Sequence, residues 1–115
     1  MATVPKLLCL GNMAAAEAAV TVVQGASNVP AAKRWDCKVI IYNTNSTTAR
    51  TVTCGFMSSN VALVIGHYLM AAESLEPFGR REFAIRFVPT GYYFRANQGS
   101  GTDVQVEIHG EEVDV

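Results

Sequence analysis

Val104-Gln105-Val106-Glu107-Ile108-His109 is the stretch that decides the fold. Its β-branched side chains alternate with polar ones, and in an extended chain successive side chains point to opposite faces. Val104, Val106 and Ile108 therefore share one side and Gln105, Glu107 and His109 the other, the pattern of a half-buried strand. Working outward, Trp35, Cys37, Val39 and Ile41 form a second apolar face, with Asp36, Lys38, Ile40 and Tyr42 behind it. Residues 50–57 repeat the pattern, setting Val52, Cys54 and Phe56 against Thr51, Thr53 and Gly55.

Between these last two runs lies Asn43-Thr44-Asn45-Ser46-Thr47-Thr48-Ala49, whose short side chains bond their own backbone and favour turns. It reads as a hairpin loop. In such a hairpin Cys37 and Cys54 lie on one sheet face of neighbouring strands, as small apolar core residues. Further strands are expected at 19–24, 61–67, 82–87 and 92–96, with breaks at Pro77-Phe78-Gly79, Pro89-Thr90-Gly91 and Gln98-Gly99-Ser100-Gly101. Seven to eight short strands so punctuated predict an all-β chain, an antiparallel β-sandwich or jelly roll. At 115 residues, 1–115 is one such domain. The alanine-rich residues 12–19 have the highest helix propensity, but a helix of about two turns is marginal without packing.

Charged residues make up 17% of the chain, against about 25% in an average globular protein. Charge is depleted at the centres of permanent interfaces, so this deficit, which on composition alone fits a small apolar-rich monomer equally well, fits a surface partly covered in the working state. A homo-oligomer, dimer or trimer, is the expected way to cover it. The net charge of -1 and the absence of a basic block argue against phosphate-backbone binding, so no nucleic-acid partner is expected. No run of about 20 apolar residues is present to span a membrane as a helix. The acidic end, Glu111-Glu112-Val113-Asp114-Val115, reads as a solvated tail.

Catalysis needs a nucleophile, a base and an orienting group that can converge. His67 and His109 fall in different expected strands, neither spaced from a cysteine or serine in a recognisable way, and His109 faces outward. Cys9, Cys37 and Cys54 are odd in number and far apart, which suits buried thiols in a reducing compartment better than a disulfide framework. No grouping of metal-ligand spacing occurs, so neither metal nor cofactor is expected. Gly99-Ser100-Gly101 leads into a strand rather than a helix and reads as a flexible turn, not a phosphate cradle. Glu73, Glu76 and Glu82 cluster, but Arg80 and Arg81 sit among them, so a salt-bridged exposed loop is expected. Phe87, Tyr92, Tyr93 and Phe94 could form a stacking platform for a base or sugar. Alternation puts Tyr92 and Phe94 on one face and Tyr93 on the other, so half of the group is assigned to the core.

The N-terminal stretch is different in kind. Pro5 removes a backbone donor, and Leu7, Leu8, Cys9 and Leu10 form an apolar run without alternation. Such a segment fits poorly as the exposed edge of a monomeric sandwich. Residues 1–12 are therefore read as a docking arm, with Val4, Pro5, Leu7, Leu8 and Leu10 as its partner-interface residues. The competing reading is a first core strand of the same subunit. The stretch is too short for a signal peptide, and synthesis in a cytoplasm is expected.

The opening Met1-Ala2-Thr3-Val4-Pro5-Lys6, the alanine-rich approach to Val20-Thr21-Val22-Val23, and Val29-Pro30-Ala31-Ala32-Lys33-Arg34 together resemble a family of small tailed-bacteriophage virion proteins. The resemblance continues through Tyr42-Asn43-Thr44, Arg50-Thr51-Val52-Thr53 and the closing residues 104–113. The chain departs from it at Phe56-Met57-Ser58-Ser59-Asn60 and the apolar residues that follow, where the family often carries a Pro-Ser-Gly-Gly turn. The resemblance implies a non-enzymatic β-sandwich virion component. One form is a capsid decoration, or cement, protein whose partner is the major capsid protein and whose place is the head surface. The other is a tail or fibre accessory protein that binds host carbohydrate or a receptor. Loops of Ser, Thr, Asn and Gly, with the aromatics mostly in strands, favour decoration over a lectin-like tip.

Overall fold

The computed structural model describes residues 6–16, 18–58 and 68–115. Nine strands run through them: β1 Lys6–Asn12, β2 Ala18–Ala19, β3 Thr21–Gly25, β4 Lys33–Asn43, β5 Arg50–Met57, β6 Tyr68–Leu75, β7 Arg80–Val88, β8 Tyr93–Asn97 and β9 Val104–Asp114. They build two sheets, one ordered β3-β1-β9-β4-β7 and the other β2-β8-β5-β6. Every strand pair is antiparallel. The chain is an antiparallel β-sandwich.

Alternation explains the core directly. Val104, Val106 and Ile108 of β9 are fully buried, as are Val39 and Ile41 of β4 beside them. Across the sandwich they meet Val52, Cys54 and Phe56 of β5, with Phe94 and Ala96 of β8. Phe56 and Phe94 pair across neighbouring strands and pack edge to face, 5.1 Å between ring centroids, the geometry the ring quadrupoles favour.

Several expectations need correction. Residues 43–49 do not close a hairpin, because β4 belongs to one sheet and β5 to the other. Cys37 and Cys54 therefore come from opposite sheets. The connection is pinned by Asn43, fully buried, whose Nδ2 donates to the carbonyls of Thr48, Leu75 and Glu76 at 3.0 to 3.2 Å. Alternation reports which side of a strand is wet but not which sheet the strand joins. The expected strand at 19–24 is likewise two elements: Ala18–Ala19 pairs with β8 and Thr21–Gly25 with β1. The chain changes sheets at buried Val20. No helix forms among the described residues of 12–19. The expected strand at 61–67, and His67 with it, lies outside the described residues.

The acidic end is not a tail. β9 continues through Asp114, paired with β4 from Asn43↔Val104 to Lys33↔Asp114. Glu112 is held there because its Oε2 accepts a hydrogen bond from the indole N–H of buried Trp35 at 3.0 Å, while Lys6 lies 3.2 Å from Oε1. These contacts hold the Glu112 carboxyl below the usual carboxylate range, the Trp35 hydrogen bond first among them.

The described part of the N-terminal segment is not an arm either. Lys6–Asn12 lies inside the five-stranded sheet, paired with β3 on one side and β9 on the other. It is the core strand of the competing reading. Leu7 pairs with His109, yet Cys9 pairs with Ile108, so one extra residue is accommodated at Leu8. In such a bulge two residues oppose one, and here both Leu8 and Cys9 turn inward, 4% and 0% exposed. That is why the run shows no alternation.

Candidate interaction face

The bulge also fixes what the outer face of the five-stranded sheet displays. Paired residues on neighbouring strands point to the same side, so rows can be followed across the sheet. Leu10 aligns with Glu107, Glu107 with Ile40, and Ile40 with Glu82. One step along, Leu7 aligns with His109, His109 with Lys38, and Lys38 with Ala84. Beyond these rows lie Gln105, Tyr42 and Arg80 on one side and the Glu111–Asp36 pair on the other. The face is thus banded: carboxylates flank Ile40 in one row, and cationic or titratable nitrogen occupies the next.

Leu7, Leu10 and Ile40 are half-buried here and Lys38, Glu82 and Ala84 are exposed. A shallow depression of about 610 Å³ runs between β4, β7 and β9, lined by Asp36, Lys38, Ile40, Glu82, Ala84 and His109 among others. Two of the acids are tied within the chain, Glu107 to His109 Nε2 at 3.0 Å and Glu82 to Arg80 at 2.5 Å. Lys38 has no ion-pair partner among the described residues. Gly110 allows β4 and β9 to close up beneath this face, since a Cβ there would stand 2.2 Å from the Asp36 carbonyl oxygen.

Of the five residues assigned to a partner interface, Leu7 and Leu10 emerge on this outer face and Leu8 in the core. Val4 and Pro5 lie outside the described residues. Leu8 does not share a patch with Leu7 and Leu10.

The remaining polar groups are engaged in holding the sandwich together. Gln98, fully buried, donates from Nε2 to the Met13 carbonyl and accepts from the Asp103 and Val104 amides at 2.9 and 3.2 Å. At the same end Asp103 accepts from Asn45 at 2.9 Å and from Arg50 Nε at 2.8 Å, which lowers its pKa in that order of importance. Glu76 pairs with Arg81 at 3.3 Å and Glu82 with Arg80, as expected, but the three carboxylates do not share a loop, because Glu73 stands exposed on β6 and Glu82 lies on β7. Asn43 and Gln98 escaped sequence reading because nothing local to either marks the distant carbonyls and amides they meet.

Cys9, Cys37 and Cys54 are free and buried. Burial pushes their thiols up, to about 11 for Cys9 and about 12 for the other two. They are poor thiolates and poor nucleophiles. Of the aromatic group, Phe94 is core and Tyr92 packs against it, while Phe87 is 55% exposed beneath the Arg34 guanidinium, 5.4 Å from the ring centroid. The four do not form one platform. Among the described residues, no three His, Cys, Asp or Glu side chains gather where they could hold a metal ion. Comparison with protein-family models, with curated proteins and with solved structures finds no match for this chain.

Proposed function

We propose that the chain is a non-enzymatic structural protein of a tailed-bacteriophage virion, a decoration protein that binds the major capsid protein and stabilises the head shell. The observation that carries the reading is how the side chains are used. Asn43, Gln98, Asp103 and Glu112 are engaged in joining loops, strand ends and sheets. What remains is a broad sheet face on which Leu7, Leu10 and Ile40 stand among alternating charges. A surface of that kind binds; it does not position a reaction. The sequence resemblance to small phage virion proteins supplies the setting. The low charged fraction of the chain, 17%, suits a protein that covers a repeating lattice in many copies.

The test reads the neighbouring reading frames and, where they encode a major capsid protein, uses shells assembled from it. Mixed with the purified protein and sedimented, the shells are expected to carry it to a saturating, fixed ratio of copies and to melt at a higher temperature. Protein left in the supernatant at all concentrations, or a neighbourhood of reading frames with no capsid or tail protein, contradicts the proposal. Retention on host glycans in place of shells would assign the chain to the tail.

A further inference from the structure

We propose that the outer face of the five-stranded sheet is where two copies of this chain meet, face to face, about a two-fold axis that lies between the sheets and runs across the strands. The inference deepens the assembly reading and rests on it only in that copies must meet; it requires no phage particle.

Two sheets packed face to face can be related by a two-fold axis in the plane between them, in two simple orientations. An axis along β4 lays each row on itself. Glu107 then falls on Glu82 of the second copy and Lys38 on Lys38, and like charges so opposed are repulsive. An axis across the strands, between the row of Ile40 and the row of Lys38, reverses position along each strand while leaving β4 over β4 and β9 over β9. Lys38 then lands on Ile40 of the second copy. Ile40 is flanked in its own row by Glu107 and Glu82. The lysine stem covers the isoleucine and the ammonium sits between two carboxylates, as an amphipathic side chain requires.

The same axis sets Leu10 against Leu7, and Glu107 against His109, of the second copy. Every contact occurs twice. Over these two rows the face is therefore self-complementary, and Lys38, without an ion-pair partner among the described residues, acquires one. Four strands at about 4.8 Å and about seven residues at about 3.4 Å offer on the order of 450 Å² of plane per copy. That is about half of the roughly 800 Å² per partner in a standard stable interface, so the dimer is expected to be weak and reversible.

The test is a charge exchange read by sedimentation equilibrium on the full chain. The wild type is expected to dimerise, more weakly as salt is raised. Lys38→Glu alone, or Glu82→Lys with Glu107→Lys, is expected to weaken the dimer about tenfold or more, because each homodimer then opposes like charges twice. An equimolar mixture of the two variants is expected to recover dimers, since position 38 of each copy again faces opposite charge at positions 82 and 107 of the other. Circular dichroism confirms folding; should the double variant fail to fold, Lys38→Glu mixed with Glu82→Lys alone is expected to recover dimers in part, since one of the two charges facing position 38 is then opposite. A wild type that stays monomeric overturns the proposal. So does a dimer indifferent to the substitutions, whose interface is then elsewhere, as along the edge of β7. So does a mixture that fails to recover. Shell binding is scored separately on the wild type: dimers that ignore shells sink the virion reading and leave the interface standing, and monomers that bind shells do the reverse.

Discussion

β9 and β1 lie side by side in one sheet and pair along their length, yet one is readable from the sequence and the other is not. In β9 the alternation of Val104, Val106 and Ile108 with Gln105, Glu107 and His109 matches burial residue by residue. In β1 four consecutive apolar residues are sorted as half-buried, buried, buried, half-buried. The environments are alike; the ladders are not. Period two encodes burial only where pairing is unbroken, and a single extra residue turns a strand into something that looks like an unstructured apolar run.

The largest expected effect tests that bulge at Cys9. Without it, strict alternation from outward Leu7 would turn Cys9 to solvent. With it, Cys9 is buried and its thiol is pushed up to about 11 from an ordinary 9.0. Native protein at mildly alkaline pH should react with a thiol reagent more slowly than unfolded protein by on the order of a hundredfold, from thiolate fraction alone. All three thiols should react at once in denaturant. Fast native labelling of Cys9 would move the bulge.

Next come the core truncations. Ile108→Ala should cost about 2–5 kcal/mol in urea melts, and Leu8→Ala should fall on the same scale although its neighbour Leu10 does not. Leu10→Ala is expected to cost under about 1 kcal/mol in dilute, monomeric protein. Equal losses at Leu8 and Leu10 would mean that β1 has no bulge and is simply buried on both faces.

A smaller effect separates the two halves of β9. Glu112→Ala removes the acceptor of the Trp35 indole and should cost about 1–2 kcal/mol. Because the Glu112 pKa is lowered on folding, its contribution is present above about 4.5 and disappears as the pH falls through the lower folded value. The variant should accordingly lose less stability on acidification than the wild type. Glu107→Ala, on the same strand but pointing outward, should change folding stability by within about 0.5 kcal/mol. If Glu112 behaves like Glu107, its end of β9 is the solvated tail that its composition suggested.

These contrasts mark what the sequence could convey. The sandwich, the strands from Trp35, Arg50 and Val104, and the inward sense of their side chains were legible because each reads against its own neighbours. The destination of residues 43–49 was not, since Asn43 finds its carbonyl partners at Leu75 and Glu76, far along the chain. β6 was missed because its pairing with β5 shifts register twice, with Ala72 at φ 51°, and exposes four residues in succession. The acidic end misled because composition reports average polarity, whereas one indole N–H and one ammonium decide the fate of Glu112. Leu7 and Leu10 were singled out for a partner, and the bulge sets both on the sheet's outer face, though from within a strand and without Leu8.

The most direct test of that face as the working surface is zero-length carbodiimide crosslinking of an equimolar mixture of ¹⁴N- and ¹⁵N-labelled protein. The reagent joins an ammonium only to a carboxylate in contact with it, and mixed labels identify bonds between copies. The account predicts mixed-label peptides joining Lys38 to Glu82 and Lys38 to Glu107. Lys38 crosslinks with no mixed-label fraction, where random pairing of copies gives about half, or mixed-label bonds that join other lysines and leave Lys38 free, would contradict it.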